Sequence, residues 1–424
     1  MPLRFVHVNH RYAPYIGGSE RFVQEISERF AGVGHDVRVV TSNAYDLEYF
    51  WDARRQTVDA PTNESWNGVG VSRVPVAHGP ASSIVFRGIR RLMGEASRIG
   101  LPAGPFRAAS THQPWMPGLA NAISREPSDL IHATNLGIEG LAIVASQVAR
   151  RADIPFVLTP FIHLGVQHDH IARRYVTMPH QIELLRSADA ILTMTDHEAT
   201  FVSSHGISPE RVHVVGAGVS PHEVTNGGGH RFRTRHNLHG IVVGSIGALA
   251  PDKGTLDLVR TVQKLRRNGH DIGLVLAGSE MSTFTRWYAA LDERAREGIQ
   301  VVGVVDAEEK RDLLAAIDLF ALPSRTESFG IVYLEAWANR VPVIAADAGA
   351  VSELVRNEEN GLLVSFGDTE SLAAAVLRLA GDAELRTRLG SAGWKLVHSR
   401  YTWSLVFDRV QDVYGALLGG PDRR

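Results

Sequence analysis

Residues 323–336 read PSRTESFGIVYLEA. They follow the apolar run DLFAL at 318–322, which has the character of a buried strand, and they lead into an apolar helical pattern through Trp337. The stretch is therefore strand, polar loop, helix. Ser328 is the expected N-cap, which puts Phe329 and Gly330 in the first helical turn. The first amides of a helix have no partner within it, and the helix dipole favours an anion there. Gly330 has no side chain to hold a ligand off. Glu327 in the loop and Glu335 in the helix bracket the turn, eight positions apart. Beside a phosphate-binding helix start, Glu327 can hydrogen-bond sugar hydroxyls. Glu335 can accept from both hydroxyls of a ribose diol. Spacing alone leaves a second reading open, in which both are ordinary solvent-facing carboxylates.

Together with VPVIAADAGAVSELV at 341–355 and NGLLV at 360–364, this stretch resembles the donor-binding half of a family 4 glycosyltransferase. The resemblance extends to PYIGGSE at 14–20, GALAPDKG at 247–254 and YTW at 401–403, so it spans nearly the whole chain. Each motif alone is weak; the combination in this order is specific. The resemblance implies an α/β fold with two Rossmann-like doubly wound domains facing across a cleft, the GT-B architecture. It implies a retaining enzyme that moves a sugar from a nucleotide-diphosphate sugar to an acceptor hydroxyl and forms an α-glycosidic bond. The acceptor class it allows is a sugar, a lipid-linked molecule or a small molecule. Neither a cofactor nor a metal is expected.

Length and composition agree with such a protein. A chain of 424 residues with 44% apolar content suggests two or three domains with sizeable cores. The formal charge of −2 gives no sign of a nucleic-acid partner. There is no cysteine, hence no disulfide framework and no thiolate metal site. The sequence opens on the strand-like LRFVHVN without a basic, apolar leader, and no run of 18 apolar residues occurs. The expected location is cytoplasmic, with peripheral attachment at the inner membrane face as an option.

Residues 1–225 are expected to form the acceptor-side domain, 226–240 a flexible linker marked by Gly227–Gly229, 241–398 the nucleotide-sugar domain, and 399–424 a helix returning to the first domain. In the first half, 3–8 reads as a strand, followed by a loop with Gly17 and Gly18 and a helix that Ser19 can cap. The resemblance assigns this loop to donor phosphates or acceptor. Residues 43–68 read as a polar, irregular, acceptor-side loop rich in aromatic residues. Residues 83–99 read as a helix with Val85, Ile89, Leu92, Met93, Ala96 and Ile99 on one face and arginines mostly off it. It is either a solvated helix packed on its own domain, the commoner case, or a surface for an anionic membrane. A helix is expected over 171–186. Thr195 and Glu198 suggest a capping box. His163, His168, Asp169 and His170 crowd after the strand ending at Thr159. A metal site there is the weaker reading. The resemblance instead implies that His163 touches the donor sugar, although it lies further from Thr159 than is usual in the family.

In the second half, Lys253 stands at the end of a strand, where a diphosphate can sit. The lysine precedes the glycine, so GALAPDKG is not a Walker loop. The resemblance makes Lys253, Glu327 and His163 the catalytic set. It assigns donor contacts to Gly17, Gly18, Gly247, Val304, Arg325, Ser328, Phe329, Gly330 and Glu335. Three departures from the family pattern stand out. Ala248 occupies the place of an arginine that normally helps Lys253 neutralise the diphosphate, with Arg325 the nearest replacement in the motif. Arg340 stands where glycine is common, and Gly349 is single where a pair is common. The implied chemistry is front-side displacement, in which the leaving phosphate oxygen takes the acceptor proton, with Glu327 orienting the donor sugar. A non-catalytic nucleotide-sugar-binding homologue, a sugar-nucleotide epimerase and a phosphorylase remain as alternatives on this architecture.

Overall fold

The computed structural model describes residues 2–15, 17–79, 82–165 and 173–419. The chain forms two compact units. The first takes 1–162, 170–216 and 407–424; the second takes 163–169 and 217–406.

The first unit is built on an eight-stranded sheet. Its strands are β1 (Arg4–Val8), β2 (Asp36–Ser42), β3 (Asn63–Trp66), β4 (Val69–Val74), β5 (Leu130–Thr134), β6 (Phe156–Thr159), β7 (Ala190–Thr193) and β8 (Val212–Val214). Their order is β3-β4-β2-β1-β5-β6-β7-β8. All neighbours are parallel except β3 and β4. The antiparallel β3–β4 hairpin corrects the expectation of an irregular segment through residue 68. Its two-residue turn is Asn67-Gly68, with φ of 49° and 83°. Asn-Gly between strands is a strong hairpin signal, because both turn residues need positive φ. Of the helix expected over 171–186, residues 171–172 lie outside the described residues, 173–174 are helical, and after a break a second helix runs Pro179–Ser187, with Pro179 in its first turn, where the missing N–H costs no helical bond.

The second unit has a six-stranded parallel sheet of β9 (Ile241–Ile246), β10 (Ile272–Ala277), β11 (Ile299–Gly303), β12 (Leu319–Leu322), β13 (Val343–Ala346) and β14 (Gly361–Val364). The order is β11-β10-β9-β12-β13-β14. Helices cover a parallel sheet on both faces, so its strands are continuous apolar runs. Val243, Leu274 and Ile344 pack with Leu258, Val262 and Val376 from flanking helices. The final helix, Trp403–Leu418, begins in the second unit and ends in the first. Trp403 is buried, and a Cβ on Gly218 would lie 2.7 Å from its backbone nitrogen, so only glycine fits at 218.

The flexible linker expected at 226–240 is corrected. Residues Gly229–Arg235 form a helix, and the unit division falls earlier, after Gly216. Arg231 bonds Asp312 at 2.7 Å, Arg233 bonds Asp318 at 2.7 Å, and the Gly228 amide donates to Asp312 at 2.6 Å. A Cβ on Gly227 would sit 2.0 Å from the Arg311 carbonyl. The glycines therefore serve close backbone packing within the second unit rather than slack.

A buried histidine cluster gives the first unit a pH dependence. His132 Nδ1 lies 2.7 Å from the Tyr414 hydroxyl and its Nε2 lies 2.8 Å from Thr159 Oγ1, while His7 Nδ1 lies 2.7 Å from Ser27 Oγ. Burial pushes His7 down to about 3 and His132 well below the usual range. Burial also pushes His10 down to about 4, against a smaller upward pull from its bond to the Ile138 carbonyl. These groups are neutral when folded. Below pH 6.5 the unfolded chain binds protons that the folded chain cannot, so stability is complete above that pH and is lost as pH falls. The slope approaches about 1.4 kcal/mol per pH unit for each histidine. Urea melts at pH 7.5, 6 and 5 should show stability falling across a window where most carboxylates do not yet titrate. A flat profile between pH 6.5 and 5 would contradict the buried neutral assignment.

Candidate functional site

The geometry begins with sheet order. In the second unit β9, β10 and β11 run outward in one direction and β12, β13 and β14 in the other. The carboxyl ends of β9 and β12 therefore flank the point where the order reverses, the usual ligand position in open α/β sheets. The loop after β9 carries Lys253, and the loop after β12 carries Glu327. Although distant in sequence, they meet: Lys253 Nζ donates to Glu327 Oε1 at 2.7 Å and to the Thr326 carbonyl at 3.3 Å. The two loops are locked together, since the Arg325 amide donates to the Asp252 carbonyl at 2.8 Å. A Cβ on Gly254 would lie 2.3 Å from the Pro323 carbonyl, and Gly254 has φ of 70°. The lysine-then-glycine order follows from this approach.

Glycines line the same edge of the sheet. Gly247, Gly278 and Gly303 follow or end β9, β10 and β11, and all three have positive φ. The Gly247 amide donates to the Ala277 carbonyl at 2.9 Å, and the Gly278 amide to the Gly303 carbonyl at 2.6 Å. Nothing lies within 4 Å of a Cβ built on Gly247. The result is an open backbone shelf that ends at Val304, whose side chain is 72% exposed.

Beyond β12 the helix runs Ile331–Ala338, and its N-cap is Gly330 with φ of 94°, not Ser328. The Tyr333 ring explains the difference. It packs so closely that a Cβ at 330 would be 2.5 Å from it, while its hydroxyl donates to the Leu322 carbonyl at 2.7 Å. The tight left-handed turn moves the helix start past Phe329, whose ring is buried edge-to-face against Tyr401. Phe329 thus offers a ligand its backbone, not its ring. Glu335 is 7% exposed. Its Oε1 accepts from Lys310 Nζ at 2.7 Å, and its buried Oε2 has no partner among the described residues. A buried carboxylate oxygen without a donor is costly, and a ligand hydroxyl would satisfy it. Lys310 escaped the sequence reading. The available signal was rarity: the chain has only four lysines, and two of them pair with the two glutamates of the 323–336 stretch.

His163 belongs to the second unit, one residue after Ile162, whose amide is held by Glu198 at 2.7 Å. Surrounding protein desolvates the ring and lowers its pKa, although the side chain keeps contact with solvent. Lys253 pushes it the same way; Glu327 and Asp252 oppose. His163 therefore shares the electrostatic environment of the Lys253–Glu327 pair. His168, Asp169 and His170 lie outside the described residues. Glu198 receives the Met194 amide at 2.7 Å, while Thr195 caps the Glu198 amide at 3.2 Å, so the anticipated cap exists with its reciprocal bond shifted by one residue.

In the first unit the order reverses between β1 and β5, and the glycine loop follows β1. The helix Gly18–Gly32 is capped by Gly17, which replaces the expected Ser19. Ser19 instead donates to Glu20 at 3.0 Å, and Arg11 donates to Glu20 at 2.9 Å. A Cβ on Gly17 would be 2.4 Å from Glu20 Oε2, whereas the position of one on Gly18 is open. Gly17 admits the protein's own carboxylate, and Gly18 leaves room beside it. Arg340 has φ of 57°, which accounts for glycine being common there, and its guanidinium stacks on Trp394 at 4.1 Å. No helix among the described residues is long and apolar enough to cross a membrane.

Comparison with known proteins gives concordant matches. The family described as "Glycosyl transferases group 1" matches residues 229–396, and "Glycosyl transferase 4-like domain" matches 17–218. A D-inositol 3-phosphate glycosyltransferase of Stackebrandtia nassauensis is 29% identical over 349 residues, covering 74% of this chain and 76% of its own. The fold matches sucrose-phosphate synthase from Thermosynechococcus elongatus with a TM-score of 0.73 at 19% identity, covering 98% of this chain and 99% of that one. It also matches the Anabaena protein HepE, solved with UDP and glucose, with a TM-score of 0.71 at 18% identity, over 98% of this chain and 100% of that one.

Proposed function

The chain belongs to the family 4 glycosyltransferases, retaining enzymes of GT-B architecture that transfer a sugar from a nucleotide sugar, and from that premise we propose which of its residues hold the donor and assist its cleavage. The observation that carries the assignment is the Lys253–Glu327 pair at the β9/β12 reversal. Lys253 stabilises the leaving diphosphate. A lysine has three N–H donors, and protein acceptors engage two of them here. Glu327 holds the ammonium in place and orients donor-sugar hydroxyls. The amide at the Gly330 turn and the Gly247 shelf receive the phosphates, with Ser328 and Arg325 alongside. The base lies against the backbone at Val304. His163 contacts the sugar, and the Gly17–Gly18 loop serves the donor phosphates or the acceptor.

The bond from anomeric carbon to phosphate oxygen breaks, the acceptor oxygen bonds on the same face, and the departing phosphate oxygen takes the acceptor proton. Lys253 acts by electrostatic stabilisation of charge that develops on the diphosphate. Release of nucleoside diphosphate in a coupled assay, with a panel of nucleotide hexoses first ranked by thermal shift, tests the reading. Donor isomerisation without an acceptor would indicate an epimerase instead.

Glu335 accepts the ribose diol through Oε2, and Lys310 positions it. Glu335→Ala should weaken donor binding about tenfold to a hundredfold, the loss of one charge-assisted contact, while the rate on bound donor changes little. Lys310→Met should weaken binding in the same direction by less, and Lys310→Arg should restore it. Calorimetry with the best donor decides this: unchanged affinity in Glu335→Ala would remove the ribose assignment.

A further inference from the structure

The helix Ser82–Ala96, extended by a 3-10 turn Ser97–Ile99, has two apolar faces. One packs inward. Ile89, Met93 and Ala96 join Phe106 and Met178, and Arg90 reaches Glu139 at 2.7 Å. Burial alone would raise the Glu139 carboxyl, but Arg90 and the His180 contact hold it down at about 2. This face is anchored.

The other face is bare. Ile84, Leu92 and Ile99 are 70%, 70% and 75% exposed, and Val85 and Leu101 are exposed beside them. Of the ten large apolar side chains exposed among the described residues, these are five. At about 3.6 residues per turn, 84, 88 and 92 form one row, and 99 continues it two turns on. Arg91 and Arg98, both exposed, border that row on one side. The exposed Glu95, which lies within the row, is covered by Arg98 at 3.2 Å and Arg174 at 2.9 Å, so the patch sets three arginines against one carboxylate. Periodicity puts Val85, Leu92 and Ile99 on one face with Ile89, Met93 and Ala96; in the structure Leu92 and Ile99 are exposed while Met93 packs inward about a quarter turn away.

We propose that this helix docks on an anionic phospholipid surface, with Ile84, Leu92 and Ile99 entering the acyl boundary and Arg91 and Arg98 meeting headgroup phosphates. The charge pattern selects this occupant. The chain is net negative, yet the border of the aliphatic row is locally cationic. Aliphatic side chains beside arginines match the juxtaposition of acyl chain and phosphate at a bilayer surface. Binding strength at such a surface scales with buried apolar area and anionic lipid content. The anchored inner face keeps the row presented without unfolding the unit.

The test uses the full chain in co-sedimentation with vesicles of phosphatidylglycerol and phosphatidylcholine in equal parts, and with phosphatidylcholine alone. The wild type should sediment with the anionic vesicles only, and less at high salt. Ile84→Glu with Leu92→Glu should reduce partitioning at least about tenfold. Arg91→Glu with Arg98→Glu should reduce it and flatten the salt dependence. Unchanged melting confirms that the variants fold; Leu92→Ser is the milder substitute if they do not. Absence of wild-type binding, or equal binding by the apolar variants, overturns the proposal. So does self-association that Leu92→Glu abolishes while vesicle binding persists, since the row would then face a second copy of the chain.

Discussion

Lys253→Met should lower kcat about a hundredfold to a thousandfold, with a smaller change in donor KM. Removing one preorganised donor from a developing anion has effects of this size. Methionine keeps length and volume while deleting the cation. The loss should fall on kcat because the diphosphate gains charge as the glycosidic bond breaks, so the interaction is stronger in the transition state than in bound donor. Stranding Glu327 without its partner is a separate consequence, because a half-buried carboxylate left alone costs stability. Lys253→Met with Glu327→Gln separates the two: the double variant should regain melting temperature without regaining kcat. Lys264 pairs with Glu370 at a more exposed position and serves as the control, so Lys264→Met should leave kcat unchanged. A fall of less than about threefold in Lys253→Met would mean that another group carries the leaving diphosphate.

Ala248→Arg should raise kcat by up to about one to two powers of ten, the yield of one charge-assisted bond to the leaving group. Ala248 directly follows the open Gly247 shelf and shares the loop after β9 with Lys253. The family usually has arginine there, so this chain relies on fewer cations at the diphosphate unless another arginine takes the role. A gain in kcat supports a charge deficit. Flat or reduced kcat in an active enzyme means that a second cation, with Arg325 the first to examine by substitution, already occupies the space. Tighter donor binding without any turnover would match a homologue that only binds nucleotide sugars.

Much of the fold was legible because buried parallel strands are short continuous apolar runs. IVVGSI, IGLVLA and DLFAL each mark a strand at its observed place within a residue or so. The β3–β4 hairpin was missed: Asn67-Gly68 carries its turn signal, but the polar NESW does not read as a strand. The packed character of 226–240 was not legible either, because a glycine run reads alike whether it gives slack or admits a neighbouring carbonyl; only the Arg311 backbone at 227 decides.

The same limit applies to the site. Residue types and loop positions along the chain marked Glu327 and Glu335 as candidates, since a phosphate-binding turn flanked by carboxylates is a local pattern, and only the family resemblance added Lys253. Which charge meets which was not local. Lys253 and Glu327 are joined because β9 lies beside β12, and Lys310 reaches Glu335 from a different helix. Ser328 lost the N-cap to Gly330 because the Tyr333 ring needs that space. Hydrogen bonds and excluded volume act over a few ångströms in space, whatever the separation along the chain. Sheet order and side-chain packing therefore settled the partners, and the chain alone could name only the participants.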